Sequence, residues 1–229
     1  MKNHLSSKNL VEFSNISFSY NERKELLKDI SFSIKEGGEV VCLLGSSGSG
    51  KSTMIKLLLN ELEPDVGTIY LSKSHLPIFQ DFERMILPWF NVKKNIIYGI
   101  DEFEIERFEN VVSVLEISEL LNSYPFELSG GEKQRVVLAR ALIRKPKIVI
   151  VDEPLSSIDI GLSKRMIPEI KNFIKLNNIS SLWVTHDVYE AIKLSDIVFV
   201  IDGSGNLVKF ETNKNNERDL AFLIQEIML

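Results

Sequence analysis

The stretch Gly45-Ser46-Ser47-Gly48-Ser49-Gly50-Lys51-Ser52-Thr53 carries the residue types that hold phosphate. Glycines, lacking a Cβ, let consecutive backbone N–H groups turn inward, and a helix starting there adds the positive end of its dipole. Lys51 is then placed for the β- and γ-phosphates of a nucleotide, and the Ser52 hydroxyl for Mg²⁺. The apolar run Val40-Val41-Cys42-Leu43-Leu44 precedes the loop as a buried strand, and Met54 to Leu59 follows as a helix. That context separates a phosphate site from a Gly/Ser loop that merely turns the chain.

A second chemical set lies downstream. Val149-Ile150-Val151-Asp152 is an apolar strand ending in a carboxylate, and Glu153 follows at once. Ligands of a parallel sheet gather beyond the C-terminal strand ends, so Asp152 is expected to face the site opened by Lys51 and to hold Mg²⁺. Glu153 beside it is placed to polarise an attacking water. His186 follows the strand Ser180 to Val184 on the same sheet edge, which favours a γ-phosphate contact. Ser129-Gly130-Gly131 ahead of a helix is a second small-residue anion loop. One nucleotide hardly needs two such loops in one chain. A two-fold dimer, in which each Ser129 loop closes on the partner's nucleotide, uses both.

The elements that must position these residues follow from patterning. Val11 to Tyr20 and Ile30 to Ile34 alternate as strands around the polar turn Asn21–Lys24, an antiparallel opening. Thr68 to Leu71 and Pro77 to Phe79 are short strands. From Glu104 to Leu121, apolar Ile105, Phe108, Val112, Leu115 and Leu120 recur at helical spacing. Helices are expected over Lys133–Arg144, Ser163–Leu176 and Arg218–Met228, with strands Lys147–Val151, Ser180–Val184, Ile197–Ile201 and Leu207–Phe210. Pro168 is tolerable only in a first helical turn and otherwise kinks the helix. The fold class is α/β: a single domain over residues 1–229 with a mostly parallel sheet and flanking helices, an N-terminal antiparallel β region and a helical insertion at about residues 81–127.

The totals exclude several classes. A net charge of −5 on 229 residues gives no broad basic face for nucleic acid. The sequence holds no apolar run of roughly 18 residues and no apolar leader at Met1 to Asn9. The single cysteine, Cys42, sits in a core strand, and the histidines are too scattered for a metal cluster; His4 and His75 read as solvent residues. These features point to a cytosolic protein.

The chain resembles the ATP-binding subunit of ABC transporters from about Val11 to Phe210. Gly45 to Thr53 is similar to Walker A, Leu128 to Glu132 to the LSGG signature, and Ile148 to Glu153 to Walker B with its catalytic glutamate. Ser156-Ser157-Ile158-Asp159 resembles the D-loop, Gln80 the Q-loop glutamine, His186 the switch histidine and Tyr20 the aromatic that stacks on adenine. The resemblance implies a P-loop NTPase core that binds ATP and Mg²⁺ as a head-to-tail homodimer. Gln80 would then touch Mg²⁺ or the water, and Asp159 would bridge the subunits; alone, Asp159 is equally a helix N-cap. Integral membrane permease subunits, and indirectly an external substrate-binding protein, are the implied partners, with the chain peripheral on the inner membrane face.

Gln80 through Leu87-Pro88-Trp89, with Val92 and Asn95, is similar to the nitrate/sulfonate/taurine-type importers, and either Trp89 or Phe90 would serve as the exposed grip for a permease. The alternative is a soluble ABC ATPase acting on a cytosolic complex, such as iron–sulfur assembly. Two departures stand out: Ile69 to Gln80 is short for the family, and no C-terminal regulatory domain is expected.

Overall fold

A computed structural model describes residues 8–20, 25–102, 104–212 and 217–228. Two sheets organise the chain. The strands β1 (Asn9–Phe18), β2 (Leu27–Lys35) and β4 (Val66–Leu71) form an antiparallel sheet in the order β2-β1-β4. The strands β3 (Val40–Gly45), β5 (His75–Ile78), β6 (Ile148–Asp152), β7 (Ser180–Thr185), β8 (Ile197–Ile201) and β9 (Leu207–Glu211) form the larger one, in the order β5-β6-β7-β3-β8-β9. It is parallel except for β9, which returns antiparallel along β8 through the 202–206 turn.

β3 shows why this sequence makes a central strand. All six of its residues are buried, as expected where helices or a second sheet cover both faces. Its side chains alternate between two cores. Val40, Cys42 and Leu44 join a core built with the helices, while Val41 and Leu43 join one shared with β1 and β2. The second core is tied by aromatic contact, with the Phe13 and Phe32 rings stacked at 4.7 Å. Burial pushes the Cys42 thiol well up, as befits a packing residue.

The helices are α1 (Lys51–Leu58), α2 (Val92–Ile97), α3 (Ile105–Val114), α4 (Gly130–Leu142), α5 (Ile160–Leu176), α6 (Val188–Leu194) and α7 (Glu217–Met228). The helices α2, α3 and α4 lie between β5 and β6 in the chain. Among the described residues no helix is long and apolar enough to cross a membrane.

Several expectations are corrected. The helix anticipated over Glu104–Leu121 stops at Val114, because Glu116 takes a left-handed φ of 48° and the Ile117 amide bonds back to Val112. Ile105, assigned to its apolar face, is exposed. The helix expected from Ser163 begins at Ile160, so Pro168 falls in its third turn and not its first. The helix continues through it, with the ring on the exposed face and the Lys164 carbonyl lacking its usual amide donor. His75 is half-buried on β5, with Nδ1 2.7 Å from the Ser72 carbonyl, and is no free solvent residue. His4 and the turn Asn21–Lys24 lie outside the described residues.

Candidate functional site

Strand register brings the chemistry together. Asp152 pairs with Val184, and Leu44 with Thr185, so β6, β7 and β3 end at one level of the sheet. Beyond that edge run the loop 45–50, the Asp152-Glu153 step and the turn carrying His186. A cleft of about 710 Å³ opens there. Tyr20 and Thr53 stand at one side, Lys51 and Ser52 on its floor, and Gln80, Glu153 and His186 at the other.

The loop has the geometry its glycines allow. Gly48 and Gly50 have φ values of +81° and +108°, where an L side chain is strained. Lys51 opens α1 and is largely buried, its ammonium donating to the carbonyls of Gly45 at 2.7 Å and Ser46 at 3.0 Å. Burial lowers its pKa, while Glu153 and Asp152 hold it up. A buried cation at a helix start, facing a glycine loop, is a site for an anion. Ser46 and Ser49 border a smaller adjacent cleft beside the turn 202–205. The Tyr20 ring is 60% exposed, yet fixed: its hydroxyl lies 3.0 Å from that of Thr53, and Phe18 meets it edge-on at 5.0 Å. That leaves a ring face free for a flat apolar group.

Asp152 is pushed up to about 6, first by burial and then by the neighbouring Glu153 charge, with Lys51 opposing. A carboxylate so placed gains from a cation. Ser52 and Gln80 line the cleft, whereas Asp152, at the end of β6, is not among its lining residues; a hydroxyl, an amide oxygen and a carboxylate are hard oxygen donors suited to Mg²⁺. Among the described residues no group of three or more His, Cys, Asp and Glu could hold a metal on its own. An ion here would need further ligands, and phosphate oxygens supply them.

Glu153 is held in a left-handed conformation, φ 49°, at a cost of about 1–2 kcal/mol for a non-glycine residue. Its amide donates to the Val184 carbonyl at 2.9 Å, and its own carbonyl accepts from Ser156 Oγ at 2.9 Å and Gln134 Nε2 at 3.1 Å. The carboxylate so aimed meets His186 Nδ1 at 3.1 Å and Gln80 Nε2 at 3.4 Å. Behind His186, Asp187 caps α6, and the buried Glu190 accepts from the Thr185 hydroxyl at 2.7 Å and from the Trp183 indole. Burial raises Glu190 from its ordinary value.

Ser129, Gly130, Gly131 and Asp159 do not line this cleft. Ser129 caps α4 in a reciprocal box: its hydroxyl accepts from the Glu132 amide at 3.3 Å, and Glu132 Oε2 accepts from the Ser129 amide at 2.8 Å. Those Ser129 bonds hold the Glu132 carboxyl below its usual range. A Cβ on Gly131 would come within 2.7 Å of the Ser157 carbonyl, so the first turn of α4 packs there only with glycine. Asp159 caps α5 through the amides of Gly161 at 2.9 Å and Leu162 at 3.1 Å. Sequence reasoning missed Gln134. It lies among the buried residues of α4 beside Val136, Val137 and Leu138, with Arg135 the other buried polar residue there.

The chain matches the ABC transporter family model over residues 27–156. It is 36% identical to the molybdenum import ATP-binding protein ModC of Pasteurella multocida, over 71% of this chain and 51% of that one. It is 32% identical to the Fe(3+) ions import ATP-binding protein FbpC 2 of Haemophilus influenzae, over 92% of this chain and 64% of that one. It is also 32% identical to the aliphatic sulfonates import ATP-binding protein SsuB 1 of Shouchella clausii, over 82% and 76%. The chain thus spans between half and two thirds of the length of the first two relatives. Among solved structures, cbiO1 of Clostridium perfringens, described as part of the ABC transporter complex cbiONQ, superposes with a TM-score of 0.76 at 24% identity, covering 96% of this chain and 97% of that one. The ATP-binding cassette MJ0796, a dimer bound to ADP and Pi, gives a TM-score of 0.70 at 24% identity, covering 88% and 98%. These two likenesses speak to the fold. With the family match spanning more than half of the chain, and its residues falling on the phosphate loop, the carboxylate step and the α4 cap, the chain belongs to the ABC transporter family.

Proposed function

We propose that this chain binds and hydrolyses ATP as a head-to-tail homodimer and so energises an importer. The observation that carries the reading is the convergence of Gln80, Glu153 and His186 on the cleft floored by Lys51. Tyr20 takes the adenine on its open ring face, the loop amides and Lys51 take the phosphates, and Ser52, Asp152 and Gln80 hold Mg²⁺. When bound, that ion draws charge off the phosphate oxygens. Glu153 accepts a proton from water as its oxygen attacks the γ-phosphorus. The bond to the β–γ bridging oxygen breaks, and ADP carries that electron pair away. His186 contacts the γ-phosphoryl oxygens and shares the Glu153 carboxylate, which fixes both groups before the water arrives. Ser129 and Gly130, exposed at the start of α4 and outside the cleft of their own chain, complete the partner's phosphate site together with Gly131. Asp159 faces the same seam. The two-fold relation makes this contact reciprocal.

The membrane partner is read from Trp89. The ring is 66% exposed, while Phe90 is half-buried beneath Lys94, whose ammonium lies 4.2 Å from the Phe90 ring centre. Asn95 ties the Leu87-Pro88-Trp89-Phe90 turn, bonding to the Leu87 amide at 2.8 Å and the Phe90 carbonyl at 2.8 Å. A rigid turn carrying an exposed indole suits a cytoplasmic helix of a permease. On this reading the chain sits peripherally on the inner membrane face, with an external binding protein as an indirect partner. The same turn, and the sulfonate-importing relative, support a nitrate/sulfonate/taurine-type cargo.

Two measurements test the reading. ATP hydrolysis by the chain is expected, and its absence from a folded chain with Mg²⁺ present would overturn the enzymatic part. A pull-down of the tagged chain from detergent-solubilised host membranes is expected to recover a polytopic protein, which Trp89→Ala loses. Recovery of a soluble assembly alone would move the ATPase to a cytosolic task such as iron–sulfur assembly.

A further inference from the structure

We infer that Gln134 is a positioning residue for hydrolysis: it fixes the backbone that aims Glu153 and ties that backbone to the helix carrying Ser129. The inference rests on the ATPase reading above and goes beyond it. Gln134 sits in the second turn of α4 and is buried, though its neighbours Val136, Val137 and Leu138 are the apolar residues such a face normally holds. Its amide is fully used. Nε2 donates to the Glu153 carbonyl at 3.1 Å and to Ser156 Oγ at 3.3 Å, and Oε1 accepts from the Ser157 amide at 3.1 Å. One side chain therefore braces three residues of the segment that leaves β6.

That segment needs bracing. Glu153 holds a left-handed conformation that a glutamate adopts only when its surroundings impose it. The side chains on its carbonyl are Gln134 Nε2 and Ser156 Oγ, beside a longer bond from the Ser156 amide at 3.4 Å, and Gln134 also orients Ser156. Released from them, the peptide after Glu153 can relax, and the carboxylate swings away from His186 and from the water it must deprotonate. A misplacement on the order of 1 Å costs roughly a hundredfold in such reactions.

The same helix begins at Ser129, five positions before Gln134 and within one rigid element. Its first turn is pressed against the Ser157 carbonyl at Gly131, so a displacement of Ser129 must move the 153–157 segment with it. If Ser129 closes on the partner's nucleotide, occupancy of one site is carried to the catalytic carboxylate of the other through Gln134. Hydrolysis at each site thus becomes conditional on ATP in both.

Two variants of the full chain separate this from a packing role. Gln134→Glu keeps the shape and the acceptor toward Ser157 but loses the donor to Glu153. Gln134→Met fills the same space with neither. In both, kcat is expected to fall roughly tenfold or more. KM, and the affinity for a non-hydrolysable ATP analogue, should stay within about twofold, because no phosphate contact is touched. The Hill coefficient for ATP should fall toward one. A kcat within twofold of wild type in Gln134→Glu overturns the proposal, as does a loss carried by KM with kcat unchanged. If Gln134→Met does not fold, the Gln134→Glu result decides. Wild-type chain that folds and binds nucleotide without hydrolysing it overturns the ATPase reading and this one together. Active wild type with equally active Gln134 variants overturns only the role of Gln134.

Discussion

At the scale of the residue, the site is a balance of buried charge. Glu153→Gln keeps the shape of the side chain and removes its capacity to accept a proton. ATP binding should persist while turnover drops on the order of 10²–10³-fold, as measured by nucleotide affinity and steady-state hydrolysis on one preparation. Asp152 carries the pH dependence. Its pKa is raised from the ordinary 3.8 to about 6, so the folded chain holds this proton more tightly than the unfolded one. The sign follows: the carboxyl favours the fold below about pH 4, and that contribution is lost as pH rises through about 6. Mg²⁺ needs the ionised form, so Mg·ATP affinity should fall as pH drops from 7 to 5, read by titration calorimetry. Asp152→Asn should therefore raise the nucleotide-free melting temperature at pH 7.5 while abolishing Mg²⁺-dependent hydrolysis. A lower melting temperature would show that the Lys51 contact outweighs the burial of the charge. The phosphate loop, Asp152, Glu153 and His186 were all legible in the sequence because each ends a strand or opens a helix whose apolar run is unmistakable. Gln134 was not. A polar residue in a helix rich in Glu, Lys and Arg carries no periodic signal, and its purpose is visible only once the Glu153 carbonyl is seen beside it.

At the scale of the element, caps and turns decide how firmly the site is held. Ser129→Ala removes the α4 cap and should cost about 1 kcal/mol in denaturant unfolding. In the dimer reading it should also weaken ATP-driven association, an effect a cap alone does not produce. Pro168→Ala restores an amide to the third turn of α5 and should stabilise the chain by about 1–3 kcal/mol in the same assay, offset by some lost rigidity of the unfolded chain. The sequence identified the helices by their apolar faces but misplaced their ends. Ile105 matched the helical period yet lies exposed, and the true stop after Val114 depends on Glu116 turning left-handed, which its residue type does not announce. The apolar face that marks α5 in the sequence starts at Met166, which points to a start near Ser163, while Asp159 reads equally as a bridge between subunits or as a helix cap. In this chain it is the cap that begins the helix three residues earlier.

At the scale of the whole molecule, the features divide into two incomplete halves. One holds Tyr20, Lys51, Gln80, Glu153 and His186 around a cleft; the other presents Ser129, Gly130 and Gly131 outside it. The sheet order β5-β6-β7-β3-β8-β9 could not be read from patterning alone, since parallel strands buried on both faces lack the alternation that marks a face. That order is what brings Asp152, Thr185 and Gly45 to one edge. A head-to-tail dimer would complete each half with the other's, and the direct test of that proposal is sedimentation of the Glu153→Gln chain with and without saturating Mg·ATP. A doubling of mass with ATP, abolished by Ser129→Arg, is the expected result. A monomer at saturating ATP, with nucleotide bound, would contradict the shared site.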